Sequence, residues 1–371
     1  MRNSSSRRSF LGFVGAGTII GPSAARLNAQ QIPTPALPLP VQAISPVSYR
    51  STVSLIRGED RRKMVHDALA ALDAELRPAL KRKQYVLIKP NLTSVDVALA
   101  STNPDTIRGI LDYLHGRFKG PVVIAEAASK STSAAYENFK YNQIVSEHRS
   151  QKVSLVDLNE EGKYVVMPTI DSNVHVTPAR IAARLVDPEA FVICAAIPKT
   201  HESMIVTAAV KNMVMGSPVH SPAKETPQWS DKRKVHVRGY QQHNYNLMLV
   251  AQRLAPNWGV AVLDGYEGME GDGPIRGTAV PSRIAIASQD YVAADRVALE
   301  TMGVDATWVG YLQYCHAVGL GNYDLTKIDI DGETIASVQR KYKMNANFGN
   351  EIQWMGPIAP AAAPPTPRTA G

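Results

Sequence analysis

The chain has 371 residues, of which 44% are hydrophobic and 20% are charged. This length and apolar content are enough for one large or two medium domains with a sizeable core. No apolar run approaches the roughly 20 residues that a membrane-spanning helix needs, so a stable membrane span is not expected.

The N-terminus has the pattern of an export signal. Arg7 and Arg8 precede an apolar stretch from Phe10 to Ile20, and small residues follow up to Ala29. The string S-R-R-S-F-L is similar to a twin-arginine signal. We therefore expect residues 1–29 to be a twin-arginine signal peptide, the twin-arginine export machinery to be a partner, and the mature chain to be periplasmic or secreted.

Charge and cysteine content narrow the function classes. The predicted signal holds four arginines and no acid, so its removal lowers the formal charge from +7 to +3. A nearly neutral chain does not favour nucleic acid as a partner, and a small-molecule substrate or ligand is expected instead. Cys194 and Cys315 form no C-x-x-C pair, which argues against an iron–sulfur cluster. They are either buried small side chains or a disulfide.

Proline-rich segments bound the predicted domain. Residues 30–50 are read as an extended linker, because proline interrupts both helices and central strands. The α/β domain is expected over residues 51–335, with possible lobes at 51–200 and 201–335. Residues 336–371 are predicted to form a Pro/Ala-rich tail.

Within the domain, β-branched runs alternate with amphipathic segments. Strands are predicted at 53–56, 85–90, 122–127, 153–158, 191–197, 259–264 and 283–288. Helices are predicted at 60–80, 103–117, 133–148, 197–216, 247–254 and 292–303. This alternation indicates an α/β fold with mainly parallel sheet and helices on both faces, and it allows two lobes around a cleft.

The segment 197–216 is the first to indicate a site. It is predicted as a helix that is apolar nearly all round, and such a helix is buried. Lys199 and His201 directly follow a predicted strand, where ligands of open α/β sheets bind. Lys211 shares one stripe of the predicted helix with three hydroxyl side chains. These hydroxyls belong to Thr200, Ser203 and Thr207. The alternative is that Lys211 reaches the surface and His201 only packs or caps.

The segment 234–247 adds imidazole and amide groups. His236 is a candidate proton-transfer residue beside Lys199, His201 and Lys211, and His243 is a further candidate base or ligand. The candidate substrate-binding residues are Lys89, Asn91, Asn212, Asn244 and Asn246.

Four acids interleaved with glycines follow another predicted strand, in LDGYEGMEGDGPIRG. Clustered carboxylates suit a divalent metal or substrate hydroxyls, so a divalent metal is a possible cofactor. The candidate ligands are Asp264, Glu267, Glu270 and Asp272. A solvated acidic turn is the alternative, and Asp295 is a weaker addition to the site.

Several strings together are similar to a known family, the domain of unknown function DUF362. They are IKPNL, PKTH, AVKNMVMG, the string from His236 to Leu247, LDGYEGMEGDGP, ASQDYVAADRVALETMGVD and AVGLGN. The resemblance covers roughly residues 50–335 and implies the α/β fold and the position of the site. Some members carry ferredoxin-like cysteine clusters and this chain has none, so iron–sulfur electron transfer is not carried over.

The expected function is an enzyme that acts on a small polar or anionic substrate. Lys199 and Lys211 would hold an anionic group, His201 and His236 would move protons, and the acidic loop would bind metal or hydroxyls. Two alternatives stay open: a racemase or isomerase around a preloaded cofactor, and a non-enzymatic periplasmic ligand-binding protein.

Overall fold

The computed structural model describes residues 47–356. The predicted signal peptide, the linker up to residue 46 and the tail from residue 357 lie outside this range. Within residues 47–356, no helix combines the length and apolar character required to cross a bilayer.

The described chain alternates strands and helices. The strands are β1 (Ser51–Arg57), β2 (Tyr85–Lys89), β3 (Val122–Glu126), β4 (Val153–Asp157), β5 (Tyr164–Ile170), β6 (Val176–Ala182), β7 (Ala190–Ala196), β8 (Lys199–His201), β9 (Ile205–Thr207), β10 (Trp258–Gly265), β11 (Gly268–Glu270), β12 (Thr278–Val280), β13 (Ile284–Ser288) and β14 (Ile328–Gly332). The α-helices are α1 (Arg61–Ala71), α2 (Asp73–Leu80), α3 (Pro104–Leu114), α4 (Thr132–Asn138), α5 (Tyr141–Glu147), α6 (Leu158–Glu161), α7 (Ala209–Met215), α8 (Lys232–Val235), α9 (Tyr240–Leu254), α10 (Tyr291–Thr301), α11 (Gly310–Ala317), α12 (Ile335–Val338) and α13 (Phe348–Glu351).

One large sheet organises the fold. Its spatial order is β14-β1-β13-β10-β7-β2-β3-β4. The strands β10, β7, β2, β3 and β4 are parallel neighbours, and only β13 runs against the rest of the sheet. The predicted α/β class with a mainly parallel sheet is confirmed.

Separate hydrophobic clusters cover the two faces of this sheet. On one face, α1, α2 and α3 pack on residues such as Val86, Ile88 and Ile193. On the other face, α7, α9, α10 and α11 pack on residues such as Leu87 and Val192. The central strands are buried on both faces, which explains their nearly continuous apolar sequences.

Most predicted elements are present with shifted ends. The helix predicted at 60–80 is divided at Leu72 into α1 and α2, and the helix at 133–148 is divided near Lys140, which has a φ of 62°. Helix α9 begins at Tyr240, seven residues before the predicted start. The β5–β6 hairpin was not predicted.

The helix predicted over 197–216 is wrong for most of its length. Residues 199–201 and 205–207 are the antiparallel strands β8 and β9, and only 209–215 is helical. A short apolar run with β-branched residues satisfies both patterns, so periodicity could not separate a buried strand from a buried helix. The stripe that joined Thr200, Ser203 and Lys211 at helical spacing is therefore not a stripe on one helix.

The C-terminal part of the domain extends further than predicted. Val338 and Tyr342 are buried in the core, and Trp354 packs against Gly310. Residues 336–356, which were predicted as tail, are therefore part of the packed domain. Strands from both sides of residue 200 belong to the large sheet, and the two-lobe division stays a prediction. Both cysteines are buried free thiols.

The contact between α1 and α3 depends on a glycine. A Cβ built on Gly109 would lie 2.4 Å from the Arg62 carbonyl oxygen and 2.9 Å from the Val65 Cβ. We expect Gly109→Ala to destabilise the fold by up to about 2 kcal/mol, because overpacking costs about 1–3 kcal/mol and the better helix propensity of alanine offsets about 1 kcal/mol of it. Urea denaturation followed by circular dichroism measures the change.

Gly349→Ala is the matched control for this substitution. Gly349 lies in α13 with no atom within 4 Å of a built Cβ, so alanine there should leave the unfolding midpoint unchanged or raise it. A stabilised Gly109→Ala variant would contradict the close packing of the two helices.

Candidate functional site

The candidate site lies where three parallel strands end. Because β7, β2 and β3 are adjacent and parallel, their carboxyl ends meet at one edge of the sheet, where α/β proteins bind ligands. The segments that follow these strands, together with α7 and α8, enclose a cavity of about 160 Å³.

Five of the predicted site residues line this cavity. They are Asn91, His201, Lys211, Asn212 and His236. The fold thus brings together side chains that are up to 145 positions apart in sequence, between Asn91 and His236. Lys89 and Lys199 do not line the cavity, but each is bonded to an amide that does.

A buried ion pair forms the floor. Lys89 Nζ donates to Glu126 Oε2 at 2.9 Å, to Asn212 Oδ1 at 3.1 Å and to the Pro90 carbonyl at 3.1 Å. Both charged side chains are at most 3% exposed. A Cβ at Gly216 would lie 2.0 Å from Lys89 Nζ, so only glycine leaves room for the lysine there.

Lys199 orients the asparagines from the other side. Its Nζ donates to Asn91 Oδ1 at 2.8 Å, to Thr93 Oγ1 at 3.1 Å and to the Ala100 carbonyl at 2.8 Å. Asn91 Nδ2 in turn donates to Asn212 Oδ1 at 2.9 Å. All three ammonium hydrogens of Lys199 have partners, so it positions the amides rather than facing a ligand.

Lys211 differs from both of these lysines. It is only 4% exposed, and within residues 47–356 its Nζ makes a single long hydrogen bond, 3.3 Å to Thr207 Oγ1. Burial lowers the pKa of this ammonium to about 7, although Glu351 and Glu202 oppose the shift. Lys211 therefore faces the cavity with at least two unused N–H groups.

Asp295 sets the start of the helix that carries Lys211. Its carboxylate accepts from the backbone N–H groups of Ala209 at 2.6 Å and Val210 at 3.0 Å. Burial raises the pKa of Asp295 to about 7. Asp295, which is predicted as a weaker addition to the site, thus binds the first turn of α7 and does not line the cavity.

Two imidazoles lie next to one hydroxyl. Ser203 N donates to His201 Nδ1 at 3.1 Å, and Ser203 Oγ lies 3.2 Å from the same nitrogen and 3.3 Å from His236 Nε2. The backbone donor occupies the single lone pair of His201 Nδ1, which leaves the hydroxyl hydrogen for His236 Nε2. The hydrogen-bond pattern thus assigns His201 as an Nε2–H donor, and it allows His236 Nε2 to accept from the Ser203 hydroxyl.

Desolvation keeps these imidazoles neutral. Burial, with Lys211 as the next cause, lowers the pKa of His201 well below its usual value. His236 is exposed at the mouth, and partial desolvation and the Lys211 charge lower its pKa as well. His243 packs against His236 with ring centroids 4.2 Å apart and ring planes tilted by 53°, and its buried Nε2 has no hydrogen-bond partner in the described range.

Sequence reasoning missed Lys232 and Glu126. Both line the cavity, and Lys232 Nζ donates to the carbonyls of Ala127 at 2.6 Å and Pro218 at 2.8 Å. Desolvation lowers the pKa of Lys232 to about 8. Because Lys89 neutralises Glu126, the remaining charge on the lining comes from Lys211 and Lys232 and is positive. The basic run at 232–234 and the acid that ends β3 were the available signals.

Glu351 was also missed, because it lies in the segment predicted as tail. It is 1% exposed and accepts from Ile205 N, and its other carboxylate oxygen is buried with no partner in the part of the chain that the structure describes. Burial raises the pKa of Glu351 to about 7. Its carboxyl group has a larger effect on the pKa of Lys211 than Glu202 has.

Asn244 and Asn246 do not line the cavity. Asn244 Oδ1 accepts from Tyr311 N at 2.7 Å, which joins α9 to α11. Asn246 exchanges hydrogen bonds with both backbone groups of Ile170, at 2.9 and 2.8 Å. These buried amides hold neighbouring backbone in place, and their role in substrate binding stays a prediction.

The four acids of the glycine-rich loop do not line the cavity either, so the expected acidic rim is not found there. Asp264 and Glu267 line a separate cavity of about 310 Å³ and both pair with Arg61. Glu270 and Asp272 accept from the backbone N–H groups of Lys343 and Ala346. Across residues 47–356, no group of three or more His, Cys, Asp or Glu side chains is arranged to hold a metal ion. A metal on this loop stays a prediction.

The fold and the cavity define an α/β protein with a cation-lined pocket at the carboxyl ends of parallel strands. The model of the family described as "Domain of unknown function (DUF362)" matches residues 86–300, more than half of the chain. The chain belongs to this family.

Solved structures offer remote likenesses. A protein from Thermotoga maritima is 10% identical with a TM-score of 0.41, over 71% of this chain and 59% of that one. The lactate racemase apoprotein from Thermoanaerobacterium thermosaccharolyticum is 12% identical with a TM-score of 0.37, over 66% and 55%. The chain spans less than two thirds of the length of either. The search of curated proteins found no match.

The Lys89–Glu126 pair predicts a large effect of a small substitution. Glu126→Gln leaves a 0% exposed ammonium without its counter-charge, and breaking one half of a buried pair costs about 3–5 kcal/mol. We expect a loss of stability of that size in urea denaturation. Asp329→Asn, which breaks the exposed pair with Arg50, should leave the midpoint nearly unchanged. Equal effects of the two substitutions would show that the pair does not support the floor.

Proposed function

We propose that this protein is an enzyme that anchors a small oxyanion with Lys211 and Lys232 and transfers a proton with His201 and His236. The observation that carries the proposal is the Lys211 ammonium, 4% exposed with one 3.3 Å hydrogen bond, in a cavity that it shares with both imidazoles. Burying a donor with unused hydrogens costs free energy unless a ligand accepts hydrogen bonds from it.

The charges of the cavity favour an anion. Among the residues that line the cavity, the acid that opposes Lys211 and Lys232 is Glu126, which Lys89 already pairs. Glu351 and Glu202 act on Lys211 from outside the lining. A carboxylate or phosphate group would accept from the two unused hydrogens of Lys211 and the remaining one of Lys232. Charge-assisted hydrogen bonds of this kind are the strong ones.

The imidazoles supply the chemistry. With His201 as donor and His236 as acceptor, one neutral ring can give a proton while the other takes one, and neither needs to change its resting state near pH 7. In this proposal Lys199 and Lys89 position the amides Asn91 and Asn212, and the ligand does not touch those two lysines.

The arrangement also fits the racemase or isomerase alternative, because such a reaction moves one proton off and one proton onto the same substrate. The non-enzymatic alternative is capture of the anion without turnover. We further propose that the protein works outside the cytoplasm, on the basis of the signal-like residues 1–29.

Anion binding should depend on Lys211 and on pH. We expect Lys211→Met to weaken acetate binding by about tenfold to a hundredfold, the worth of one charge-assisted hydrogen bond. Because the pKa of Lys211 is about 7, the ammonium is present below pH 7 and lost above it. Acetate affinity should therefore fall by up to about tenfold per pH unit as pH rises above 7.

Isothermal titration calorimetry with sodium acetate from pH 6 to 9 measures both effects, since acetate stays ionised throughout. In Lys211→Met the pH dependence near 7 should disappear. Lys119→Met removes an exposed lysine that does not line the cavity and should bind acetate like the wild type. Unchanged binding in Lys211→Met would refute the anchor.

Proton transfer should depend on His236. In D₂O, small carboxylic and phosphorylated acids with a hydrogen beside a carbonyl carbon are incubated with the protein, and NMR follows the replacement of C–H by C–D. We expect His236→Gln to slow this exchange by at least about a hundredfold, the usual contribution of a general base. Acetate affinity is the control and should be retained. Binding without exchange of any acid would favour the ligand-binding alternative.

A further inference from the structure

A second, wider cavity adjoins the first. Its volume is about 880 Å³, against about 160 Å³ for the site described above, and Ser129 lines both. One wall is the loop from Ser129 into α4, and the other is the segment around His220 and Trp229. A ligand whose anionic group sits beside Lys211 can therefore extend past Ser129 into this space.

Buried hydrogen bonds hold the two walls together. Asn159 is 1% exposed, and its Nδ2 donates to the Ala128 carbonyl at 3.2 Å while its Oδ1 accepts from His220 N at 3.0 Å. Lys232 joins the Ala127 and Pro218 carbonyls in the same way. These side chains therefore hold the two walls in place beside Ser129, the residue that lines both cavities.

The chemistry of the second cavity differs from that of the first. Asp157 uses one carboxylate oxygen to cap α6, and Glu160 uses one to accept from Ala223 N at 2.8 Å. Within the described chain, the other oxygen of each has no hydrogen-bond partner. These free acceptors would repel an anion, but they match the hydrogens of hydroxyl groups.

Other lining groups support the same preference. Serine hydroxyls at 129, 133 and 230 add donors and acceptors, and Trp229 adds an aromatic surface. Lys130 offsets one of the two carboxylates, so the cavity does not select a cation. The lining therefore suits a part of the ligand that is neutral and rich in hydroxyl groups.

We infer that the ligand is an acidic or phosphorylated sugar, with its anionic group beside Lys211 and its hydroxyls beside Asp157 and Glu160. This inference rests on the proposed function, since it assumes that the first cavity holds the anion. It specifies the substrate class as polyhydroxylated.

Isothermal titration calorimetry on the full chain uses two anionic head groups, phosphate and carboxylate. Each is tested as the bare anion, attached to a sugar and attached to a hydrocarbon chain. The probes are inorganic phosphate, glucose 6-phosphate and hexyl phosphate, and likewise acetate, glucuronate and hexanoate. We expect at least one sugar probe to bind at least about tenfold more tightly than its bare head group and its hydrocarbon counterpart, since each added hydrogen bond contributes about 1 kcal/mol.

The double variant Asp157→Asn/Glu160→Gln tests the contacts. Both amides keep an oxygen for the backbone donors at these positions, so the fold should be retained. The sugar probe should lose most of its advantage, while phosphate and acetate affinities stay unchanged. Asp331→Asn/Glu75→Gln, which makes the same charge change at exposed positions, should alter neither.

The outcomes separate the two proposals. If phosphate or acetate binds through Lys211 but no sugar probe binds more tightly, or if the hydrocarbon probes match the sugars, the sugar inference is overturned and the anion site stands. If neither the bare anions nor the sugar acids bind, both proposals fail. Sugar binding that the double variant leaves intact also overturns the inference.

Discussion

The rest of the site depends on a pair of charges buried where parallel strands end. Lys89 at the end of β2 and Glu126 at the end of β3 form an ion pair that is nearly sealed from water. Such a pair is tolerated only if its remaining hydrogen-bonding groups are also satisfied. Asn212, the Pro90 carbonyl and the backbone around Ala127 supply those partners. The pair therefore determines where α7 and the loop after β3 can lie.

This constraint divides the lysines of the site into two kinds. Lys89 and Lys199 have all their donors satisfied within the protein and hold the asparagines in one orientation. Lys211 is nearly as buried but, within the described residues, makes one long hydrogen bond. Burial lowers the pKa of both Lys199 and Lys211, so the unused N–H groups, and not the pKa, distinguish Lys211. A perturbed, under-satisfied group in a cavity indicates function, while a satisfied one indicates structure. Lys211 is held in this position by its neighbours, including the Asp295 carboxylate, which accepts from the backbone N–H at the start of α7.

The strand ends were the most predictable part of the site. Lys89, Asn91 and His201 could be assigned to one edge because buried apolar runs identified parallel strands, and parallel strands end on the same side. The acids of the glycine-rich loop follow a strand in the same way. They nevertheless pair with Arg61 or accept from the backbone N–H groups of residues 343 and 346. Position after a strand therefore places a residue at this edge of the sheet, but packing decides which partner reaches each carboxylate.

The amino-acid sequence by itself determined the α/β class, the positions of the central strands, and the family membership, because these depend on local patterns of apolar and polar residues. The tertiary structure alone decided that 199–207 is a hairpin, that Asn244 and Asn246 hold backbone, and that Lys232 and Glu126 belong to the cavity. The physical reason is that burial and hydrogen-bond satisfaction are properties of residues distant in the chain. Whether a lysine is paired or left free can be known only when its neighbours in space are known.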